Sequence, residues 1–455
     1  MKRVGGYAVG ILFAVAIGVL LATGIRSGIL FQFDQDEFAH AHVTYLLSHG
    51  SAPYKDFLMT YTPVFHTLLA PVFYFAGYSL KSMYLARWFM ALLFLIRVIV
   101  SGWIAYKIFG KWIAAIFVLL FLANPFTIYT AMQIRPDNLM MLLFTIGCAL
   151  YISKKYFWSG FLLAISTIVL LKIAPSILVI GAFVLFQKHA RRLFFTGLFI
   201  PMLLFGTSIS RGMVQQVIRD PYAINQSVAF PLPIYHFYEL GKSALFDLYG
   251  NAWARLPIFE LLFLLFGFVG IFFIKKHHPA QWILAGCLVA QGVSLFFVRS
   301  VFIQYFLPVT WLIDLFAAVT MVRLARFRIL LVLFLLVFSL FIYDSVNANI
   351  ARSGSTSNPQ TTWLTAVWKD VPPNASVYPN IPFRPLVYPL MYGYYFHDLP
   401  PIVTRRLPPL VAALKKNPPE YILQTYEWKA LPQDFFPYVF DNYHETVKGV
   451  FVRNK

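Results

Sequence analysis

Three acidic residues lie close together in the segment FQFDQDEF, shortly after the first strongly hydrophobic stretch of the chain. They are Asp34, Asp36 and Glu37, in a protein of 455 residues that has only 18 Asp and Glu and is 59% hydrophobic. An ionised carboxylate can take a proton from a hydroxyl group as a general base, or it can bind a divalent cation. The segment is therefore a candidate catalytic site, with Asp36 as the leading general base and Glu37 beside it.

Basic residues in apolar surroundings form a second set of candidates. Lys172 lies within IVLLKIAPSILVI, and Arg299 closely precedes Tyr305 at the start of another apolar run. A cation among apolar residues is costly unless its side chain reaches the membrane interface or meets an anion such as phosphate. We therefore predict that Lys172, Arg299 and Tyr305 contact a phosphate-bearing substrate.

Three further charged residues have equally good structural explanations. Arg135 and Asp137 flank Pro136 just before an apolar run, where the helix dipole alone favours an acid and where the two charges could pair. Asp56, in APYKDF, could cap a turn or pair with Lys55. Substrate-binding and structural roles both remain open for Arg135, Asp137 and Asp56.

Histidines are frequent near the acidic cluster. Four of the ten histidines follow it within the first loop: His40, His42, His49 and His66. Their spacing matches no tight zinc pattern, so polar histidines at a membrane interface explain them as well as metal ligands do. We retain Asp34, Glu37 and His40 as candidate ligands of a divalent cation, and the sequence predicts no cofactor beyond that.

The elements that must position these residues are hydrophobic helices. A mean hydropathy of +0.69 and 18% aromatic residues are typical of polytopic membrane proteins. Several apolar runs fall below the roughly 20 residues of a full span, notably the pair that meets at Lys172. We predict eleven helices, near 7–25, 84–106, 112–130, 138–153, 157–171, 174–187, 193–209, 257–274, 281–298, 303–321 and 329–343.

The positions of the basic residues predict the topology of these helices. In an eleven-helix arrangement the basic clusters of the short loops all fall on one side, which the positive-inside rule makes cytoplasmic. They are Lys2/Arg3, Lys107/Lys111, Lys154/Lys155, Lys188/Arg191/Arg192, Lys275/Lys276 and Arg323/Arg326/Arg328. The net charge of +19 thus reflects membrane topology and not nucleic-acid binding. The N-terminus is then inside, and all candidate site residues lie outside.

The first outer loop is predicted to lie along the membrane. The run 64–78 has 15 residues, includes His66 and Pro71, and would invert every later loop if it crossed the bilayer. We therefore interpret it as an interfacial helix in the membrane plane. The preceding segment EFAHAHVTYLLSHG has apolar residues at helical spacing and is also predicted to be interfacial.

The composition changes after residue 344. The segment NANIARSGSTSNPQ is typical of a linker because of its Ser, Asn and Gly content. Beyond it, strand-like pieces (SVYP, EYILQT and ETVKGVFVRN) alternate with helical ones (TTWLTAVWKD and LPPLVAALKK). We predict a transmembrane domain over 1–344 and a small outer α/β domain over 345–455.

The order of these motifs resembles that of a known superfamily. An acidic DE pair follows the first helix, and LLSHGSAPYKDF and TPVFHTLLAPVFYFAGYSL come next. Arg87 then opens a helix, QIRPDNLMMLLF follows the third, and Lys172 lies in a later apolar stretch. This series resembles the GT-C superfamily of membrane glycosyltransferases, over roughly residues 1–320. Within it the nearest groups are the protein mannosyltransferases, the lipid A aminoarabinose transferase and bacterial lipopolysaccharide glycosyltransferases.

The resemblance implies a reaction and roles for particular residues. Such enzymes transfer a sugar from a polyprenyl phosphate to an acceptor on the outer side of the membrane. The DE pair of the superfamily corresponds to Asp36 and Glu37, the acid of its next outer loop to Asp137, and its lysine to Lys172. The sequence departs from the aminoarabinose transferase at Tyr61-Thr62-Pro63, where that enzyme has Glu-Lys-Pro. The segment 210–256 is too short for the β-trefoil of the protein mannosyltransferases, which disfavours a protein acceptor.

We accordingly expect an inverting transferase in a bacterial inner membrane, with its active site facing the periplasm. Its expected partners are a polyprenyl-phosphate sugar, a glycolipid or glycan acceptor and the bilayer, without nucleic acid. A transporter or flippase of a lipid-linked sugar would use the same charges for binding alone, and a non-catalytic scaffold is a third possibility. Charges gathered on one side, with no internal repeat, argue against alternating access.

Overall fold

The structure is a computed structural model that describes the chain except for residues 1, 58, 60, 78, 220–255, 298–302, 354–358, 373–374, 379–408, 425–432, 448 and 455. Most of the described chain is helical. The N-terminal helices are α1 (Lys2–Leu30), α2 (Gln35–Ser48), α3 (Val64–Ala76), α4 (Leu80–Phe109), α5 (Lys111–Ala123), α6 (Pro125–Ala131), α7 (Pro136–Ile152) and α8 (Tyr156–Val169). They are followed by α9 (Ala174–Leu185), α10 (Lys188–Thr207), α11 (Leu256–Ile271), α12 (Pro279–Leu295), α13 (Leu307–Leu324) and α14 (Arg328–Ser353).

Each of the eleven predicted apolar runs is helical in the structure, but one of them is broken. The run 112–130 forms two helices, α5 and α6, that meet at Asn124. Pro125 disfavours helical backbone at the residue before it, and Asn124 is extended with φ −66° and ψ 119°. The Asn124 side chain then caps α6 by accepting a hydrogen bond from the backbone N–H of Thr127 at 3.2 Å.

The helices are those of a helical membrane protein. Within the described residues, five helices are long and apolar enough to cross a bilayer by themselves: Gly10–Leu30, Leu80–Phe109, Lys188–Thr207, Gln304–Leu324 and Arg328–Ser353. Seven further apolar helices are shorter, among them Val64–Ala76 in the first loop. The count of eleven spans and the N-in, C-out orientation stay predictions from hydropathy and charge.

The chain divides by its internal contacts into two compact units. The first comprises Met1–Phe31, Arg87–Ser208 and Phe230–Thr356, and the second comprises Gln32–Ala86, Ile209–Ala229 and Ser357–Lys455. In the first unit α8 packs against α7 and α10, α9 against α12, α13 against α5 and α11, and α1 against α14. The division into domains at residue 344 remains a prediction.

Helices α8 and α10 approach so closely that only glycine fits at two contact points. A Cβ atom at Gly160 would collide with the carbonyl oxygen of Phe194, and one at Gly197 would collide with the carbonyl oxygen of Phe157. Small residues at such crossings allow close backbone packing where lipid provides no hydrophobic drive between helices. This pair of glycines therefore fixes the crossing of α8, the helix that leads to Lys172.

We expect Gly160→Ala and Gly197→Ala each to destabilise the protein by about 1–3 kcal/mol, because the added methyl group must displace backbone atoms. Gly206, which is also in α10, has open space around it. Gly206→Ala is therefore the matched control and should stabilise the helix slightly, since alanine is the better helix former. Thermal unfolding in detergent measures the stability of all three variants. Equal melting temperatures for Gly160→Ala, Gly197→Ala and Gly206→Ala would contradict the close contact between α8 and α10.

A buried polar cluster lies inside the first unit. Both carboxylate oxygens of Asp314 in α13 accept hydrogen bonds from the amide nitrogen of Asn124, each at 3.2 Å. Asp314 is 1% exposed and therefore lies in the interior. The guanidinium of Arg97 lies 4.9 Å from the ring centre of Phe121 and is near enough to attract the Asp314 charge. Asn124 thus ties the break between α5 and α6 to α13.

The predicted linker after residue 344 is partly wrong. Helix α14 continues through the first half of that segment and ends at Ser353. The helix persists because one face of this polar stretch is buried, including Ala348 and Asn349. The hydroxyl of Ser345 also donates a hydrogen bond to the carbonyl oxygen of Ala123 at 2.8 Å. Tertiary burial therefore overrides the loop-like composition.

The second unit contains an α/β region at the C-terminal end of the chain. Its elements are α15 (Pro359–Asp370), β1 (Val377–Tyr378), α16 (Leu410–Lys416), β2 (Tyr421–Leu423), α17 (Phe435–Asn442), β3 (Tyr443–Val447) and β4 (Val450–Arg453). The strand order is β1-β2-β4-β3, with β1 parallel to β2 and the other pairs antiparallel. The predicted strand-like and helical pieces are all present. The piece ETVKGVFVRN is a hairpin and not one strand, and it turns at Gly449, where φ is +81°.

Alternate residues of the strands face two hydrophobic cores. Tyr378, Ile422 and Phe451 belong to one core with residues of α16 and α17. Their neighbours Val377, Leu423 and Val450 belong to the other, with Val367 and Trp363 of α15. This alternation is the period of two expected for a strand, and it leaves helices packed on both faces of the sheet.

Candidate functional site

The predicted site residues are found in both units of the structure. Lys172, Asp137, Arg135 and Tyr305 lie in the first unit, whereas the acids of the first loop lie in the second.

Lys172 and Asp137 form an ion pair, although they are 35 residues apart in the sequence. The Lys172 ammonium donates to Oδ1 of Asp137, and it also donates to the backbone carbonyl oxygen of Gln304 at 2.9 Å. The two side chains are 16% and 6% exposed. The sequence showed no acid near Lys172, so only the fold reveals its partner.

Two further residues complete the electrostatics around Lys172. The ring of Tyr305 lies 4.9 Å from the Lys172 nitrogen, which is the geometry of a cation–π contact. Arg135 is 5% exposed and lies near enough to act on the Lys172 charge. The cluster therefore combines two cations, one carboxylate and one aromatic ring. Its excess of positive charge suits an anion such as phosphate.

A break between two helices places Lys172. Helix α8 ends where Leu170 is extended, and a short 3-10 turn, Leu171–Ile173, leads into α9. Pro175 lies in the first turn of α9. This position tolerates proline because a backbone N–H there would have no helical partner. The amide of Gln291 in α12 donates to the carbonyl oxygens of Lys172 and Ile173, at 3.3 and 3.4 Å. These bonds satisfy backbone groups that the break leaves without helical partners.

The start of α7 places Arg135 and Asp137. Arg135 is the extended residue before the helix, Pro136 follows it, and Asp137 lies in the first turn. The side chain of Asn138 donates to the carbonyl oxygens of Thr130 and Gln133, at 3.0 and 2.8 Å. The loop that leads into α7 is thereby closed on itself.

Two of the three acids of the first loop form a capping box at the start of α2. The side chain of Asp34 accepts a hydrogen bond from the backbone N–H of Glu37, and its Oδ1 also accepts from the backbone N–H of Asp36 at 2.9 Å. The side chain of Glu37 accepts from the backbone N–H of Asp34 at 2.8 Å, and Glu37 is fully buried. The D-x-x-E spacing is the sequence signal of this motif. A catalytic role for Glu37 stays a prediction beside this structural one.

Asp36 lies between the two members of the capping box. The two hydrogen bonds of the box join Asp34 and Glu37, and Asp36 adds a third bond from its backbone N–H to the Asp34 side chain. The side chain is half-buried in the first turn of α2, where the helix dipole stabilises negative charge. The geometry therefore sets Asp36 apart from Asp34 and Glu37.

The histidines of the first loop are mostly buried. Nδ1 of His40 lies 3.0 Å from Nε2 of His66, and the ring of Tyr61 is 4.8 Å from that of His40. Burial lowers the pKa of His42 to about 3, which keeps this side chain neutral. In the described part of the chain, no group of three or more His, Cys, Asp or Glu side chains could hold a metal ion. The structure thus joins Asp34 to Glu37 in a cap, while His40 contacts another histidine.

The remaining candidates differ in what the structure reports of them. Oδ2 of Asp56 accepts a hydrogen bond from the backbone N–H of Ala52 at 2.7 Å, and Asp56 is exposed, as in a capped turn. Arg299 lies outside the described residues.

The guanidinium of Arg87 donates to the carbonyl oxygens of Ile29 and Phe31, at 2.9 and 2.6 Å. Arg87 therefore satisfies the last carbonyl groups of α1.

The fold is similar to that of solved membrane transferases. ArnT from Cupriavidus metallidurans, in a crystal structure bound to undecaprenyl phosphate, has a TM-score of 0.65 and 13% sequence identity, and 98% of each chain is covered. Its apo state gives a TM-score of 0.62 and 14% identity over 99% of this chain and 98% of that one. The archaeal oligosaccharyltransferase AglB from Archaeoglobus fulgidus, in complex with an inhibitory peptide and a dolichol-phosphate, gives 0.51 and 11% over 97% and 74%.

These neighbours are members of the GT-C superfamily, so the resemblance predicted from the sequence motifs is confirmed at the level of the fold. At identities of 10–14% the similarity shows the fold alone. No model of a protein family and no curated protein matches the sequence.

Proposed function

We propose that this chain, which has the fold of the GT-C superfamily, is a glycosyltransferase that uses a polyprenyl-phosphate sugar as its donor. The acceptor is an envelope glycolipid or glycan on the outer face of a bacterial inner membrane. The observation that carries the proposal is the largely buried cluster of Lys172, Asp137, Arg135 and Tyr305, in which Lys172 pairs with Asp137 and a second cation lies nearby. A protein of the same fold was crystallised with undecaprenyl phosphate, which is the leaving group of such a reaction.

The donor phosphate is the group that this cluster would hold. Lys172 and Arg135 bind its oxygens, and Asp137 and the Gln304 carbonyl keep the Lys172 ammonium in place. When the bond between C1 of the sugar and the phosphate oxygen breaks, the polyprenyl phosphate leaves with that electron pair. Cations already in position stabilise the added charge and need not reorganise during the reaction.

The acceptor needs a base, because a hydroxyl group is a poor nucleophile at neutral pH. We assign this role to Asp36, which takes the hydroxyl proton while the acceptor oxygen forms its bond to C1. Attack from the side opposite the phosphate inverts the configuration at C1. A metal ion is no part of this scheme, although Asp34, Glu37 and His40 stay candidate ligands for one.

A panel of radiolabelled polyprenyl-phosphate sugars, supplied to membranes that contain the protein and extracted envelope acceptors, tests the proposal. We expect one donor to lose its label to an acceptor, with the opposite anomeric configuration in the product. Membranes with the vector alone serve as the control. If every donor stays intact while labelled lipid crosses the bilayer of reconstituted vesicles, the flippase alternative is correct instead.

A further inference from the structure

The side chain of Gln360 forms two hydrogen bonds with the backbone of Phe33, although the two residues are 327 positions apart in the sequence. We call this pair of bonds the clamp. Oε1 of Gln360 accepts a hydrogen bond from the Phe33 N–H at 2.7 Å, and its Nε2 donates one to the Phe33 carbonyl oxygen at 3.0 Å. Both backbone groups of one residue are thus paired with one amide, as they would be with a neighbouring strand. The backbone N–H and C=O of Phe33 also determine which end of the amide is oxygen.

The clamped residue immediately precedes the capping box. Phe33 is followed by Asp34, whose N–H binds Glu37 and whose carboxylate binds the N–H of Asp36. The backbone from Phe33 to Asp36 therefore has at least five polar groups in hydrogen bonds, since the Asp34 carbonyl oxygen also accepts from the Glu37 N–H at 3.1 Å. Together these bonds fix where α2 begins and hold the backbone of Asp36.

The ring of Phe33 anchors the same point. It is 3% exposed, and its centre lies 5.7 Å from that of Phe38 and 5.3 Å from that of Tyr84. A residue held by its ring and by both backbone groups has little freedom to shift. Removing the amide would leave the ring in place but free the backbone that leads to Asp36.

Gln360 is itself held by the C-terminal sheet. It lies in the first turn of α15, and Val367 further along this helix packs in the core that covers one face of the sheet. Trp363 packs against the same core. The α/β region thus reaches the acid-bearing segment through α15, and all these residues belong to the second unit.

We propose that Gln360 is a positioning residue that holds the segment 33–36 so that Asp36 points correctly at the acceptor. The C-terminal α/β region would then support catalysis indirectly, through the position of the base. This inference rests on the proposed function, in which Asp36 is the base. Positioning of a reacting group is sensitive, since a displacement near 1 Å can lower a rate by about 10²-fold.

The test compares Gln360→Met, which keeps the length of the side chain but makes neither bond, with Gln360→Glu, which can accept from the Phe33 N–H but cannot donate. Thr365→Ala is the matched control, because Thr365 is exposed on the same helix and bonds only to Thr361 within it. We expect Gln360→Met to lower kcat about 10–100-fold with the KM for the donor within about twofold, and Gln360→Glu to fall between it and the wild type.

Hydrogen exchange of the peptide that covers residues 31–38, in the full-length protein in nanodiscs, gives a readout that needs no turnover. Exchange there should rise in Gln360→Met and stay at the wild-type level in Thr365→Ala. Unchanged exchange would overturn the clamp. Faster exchange with normal kcat, or a loss of activity that only follows a loss of folded protein, would overturn the positioning role. Full activity of Asp36→Asn would instead refute the proposal that Asp36 is the general base. The exchange measurement would still show whether the Gln360–Phe33 bonds hold the segment in place.

Discussion

Replacement of Asp36 by asparagine is expected to lower the rate of sugar transfer by about 10²–10⁴-fold, the usual contribution of a general base. Asparagine has nearly the same shape, but it cannot take the proton of the acceptor hydroxyl. The α2 cap should survive, because it uses the side chains of Asp34 and Glu37 and only the backbone of Asp36. Turnover of the labelled donor, measured with saturating acceptor, reports the loss.

The matched control for this variant is Asp34→Asn. Asparagine caps a helix as well as aspartate does, so both the stability and the rate should stay near those of the wild type. Both variants remove one negative charge from the N-terminal end of α2, and therefore a general electrostatic effect would appear in both. An equal loss of rate in Asp34→Asn would show that the chemistry does not belong to Asp36 alone.

Replacement of Lys172 by methionine is expected to have two separable effects. The first is on donor use: loss of one charged hydrogen bond to phosphate, worth about 1.5–3 kcal/mol, should raise the KM for the donor about 10–100-fold. The second is on stability, because Asp137 would be left as a buried charge without its partner. Breaking a buried ion pair in this way costs about 3–5 kcal/mol.

A double variant separates the two effects. Lys172→Met combined with Asp137→Leu removes both charges and leaves an apolar pair, which should restore most of the stability. It should not restore donor use, because the cation is still missing. Donor kinetics and thermal unfolding of the single and double variants, measured in the same detergent, provide the comparison. If the double variant regained normal donor use, the Lys172–Asp137 pair would be purely structural.

The break at Lys172 illustrates how far sequence patterns reach. The apolar runs, the junction of two short runs at Lys172 and the isolated lysine are local features, so hydropathy and residue type revealed them. The acid that pairs with Lys172 lies on another helix. No sequence pattern states which helices become neighbours, and so Asp137 and the Gln304 carbonyl were identified only by the fold.

The first loop shows a similar division. The sequence drew attention to Asp34, Asp36 and Glu37 because acids are rare in this chain, but it gave no means of ranking Asp34 and Glu37. The capping box gives a structural role to both of these acids, Asp34 as the N-cap and Glu37 as its partner. Its D-x-x-E spacing was visible in the sequence, and so this part could have been predicted.

The sequence by itself determined the helical membrane class, the α/β character of the C-terminal region and the types of residue available for chemistry. These properties follow from composition and from periods of 3.6 and 2 residues, which are local. Only the tertiary structure decided that α14 extends past residue 344, that Asp137 meets Lys172 and that Gln360 holds Phe33. Each of these depends on burial or on contact between distant segments, and the free energy of such contacts appears only once the chain has folded.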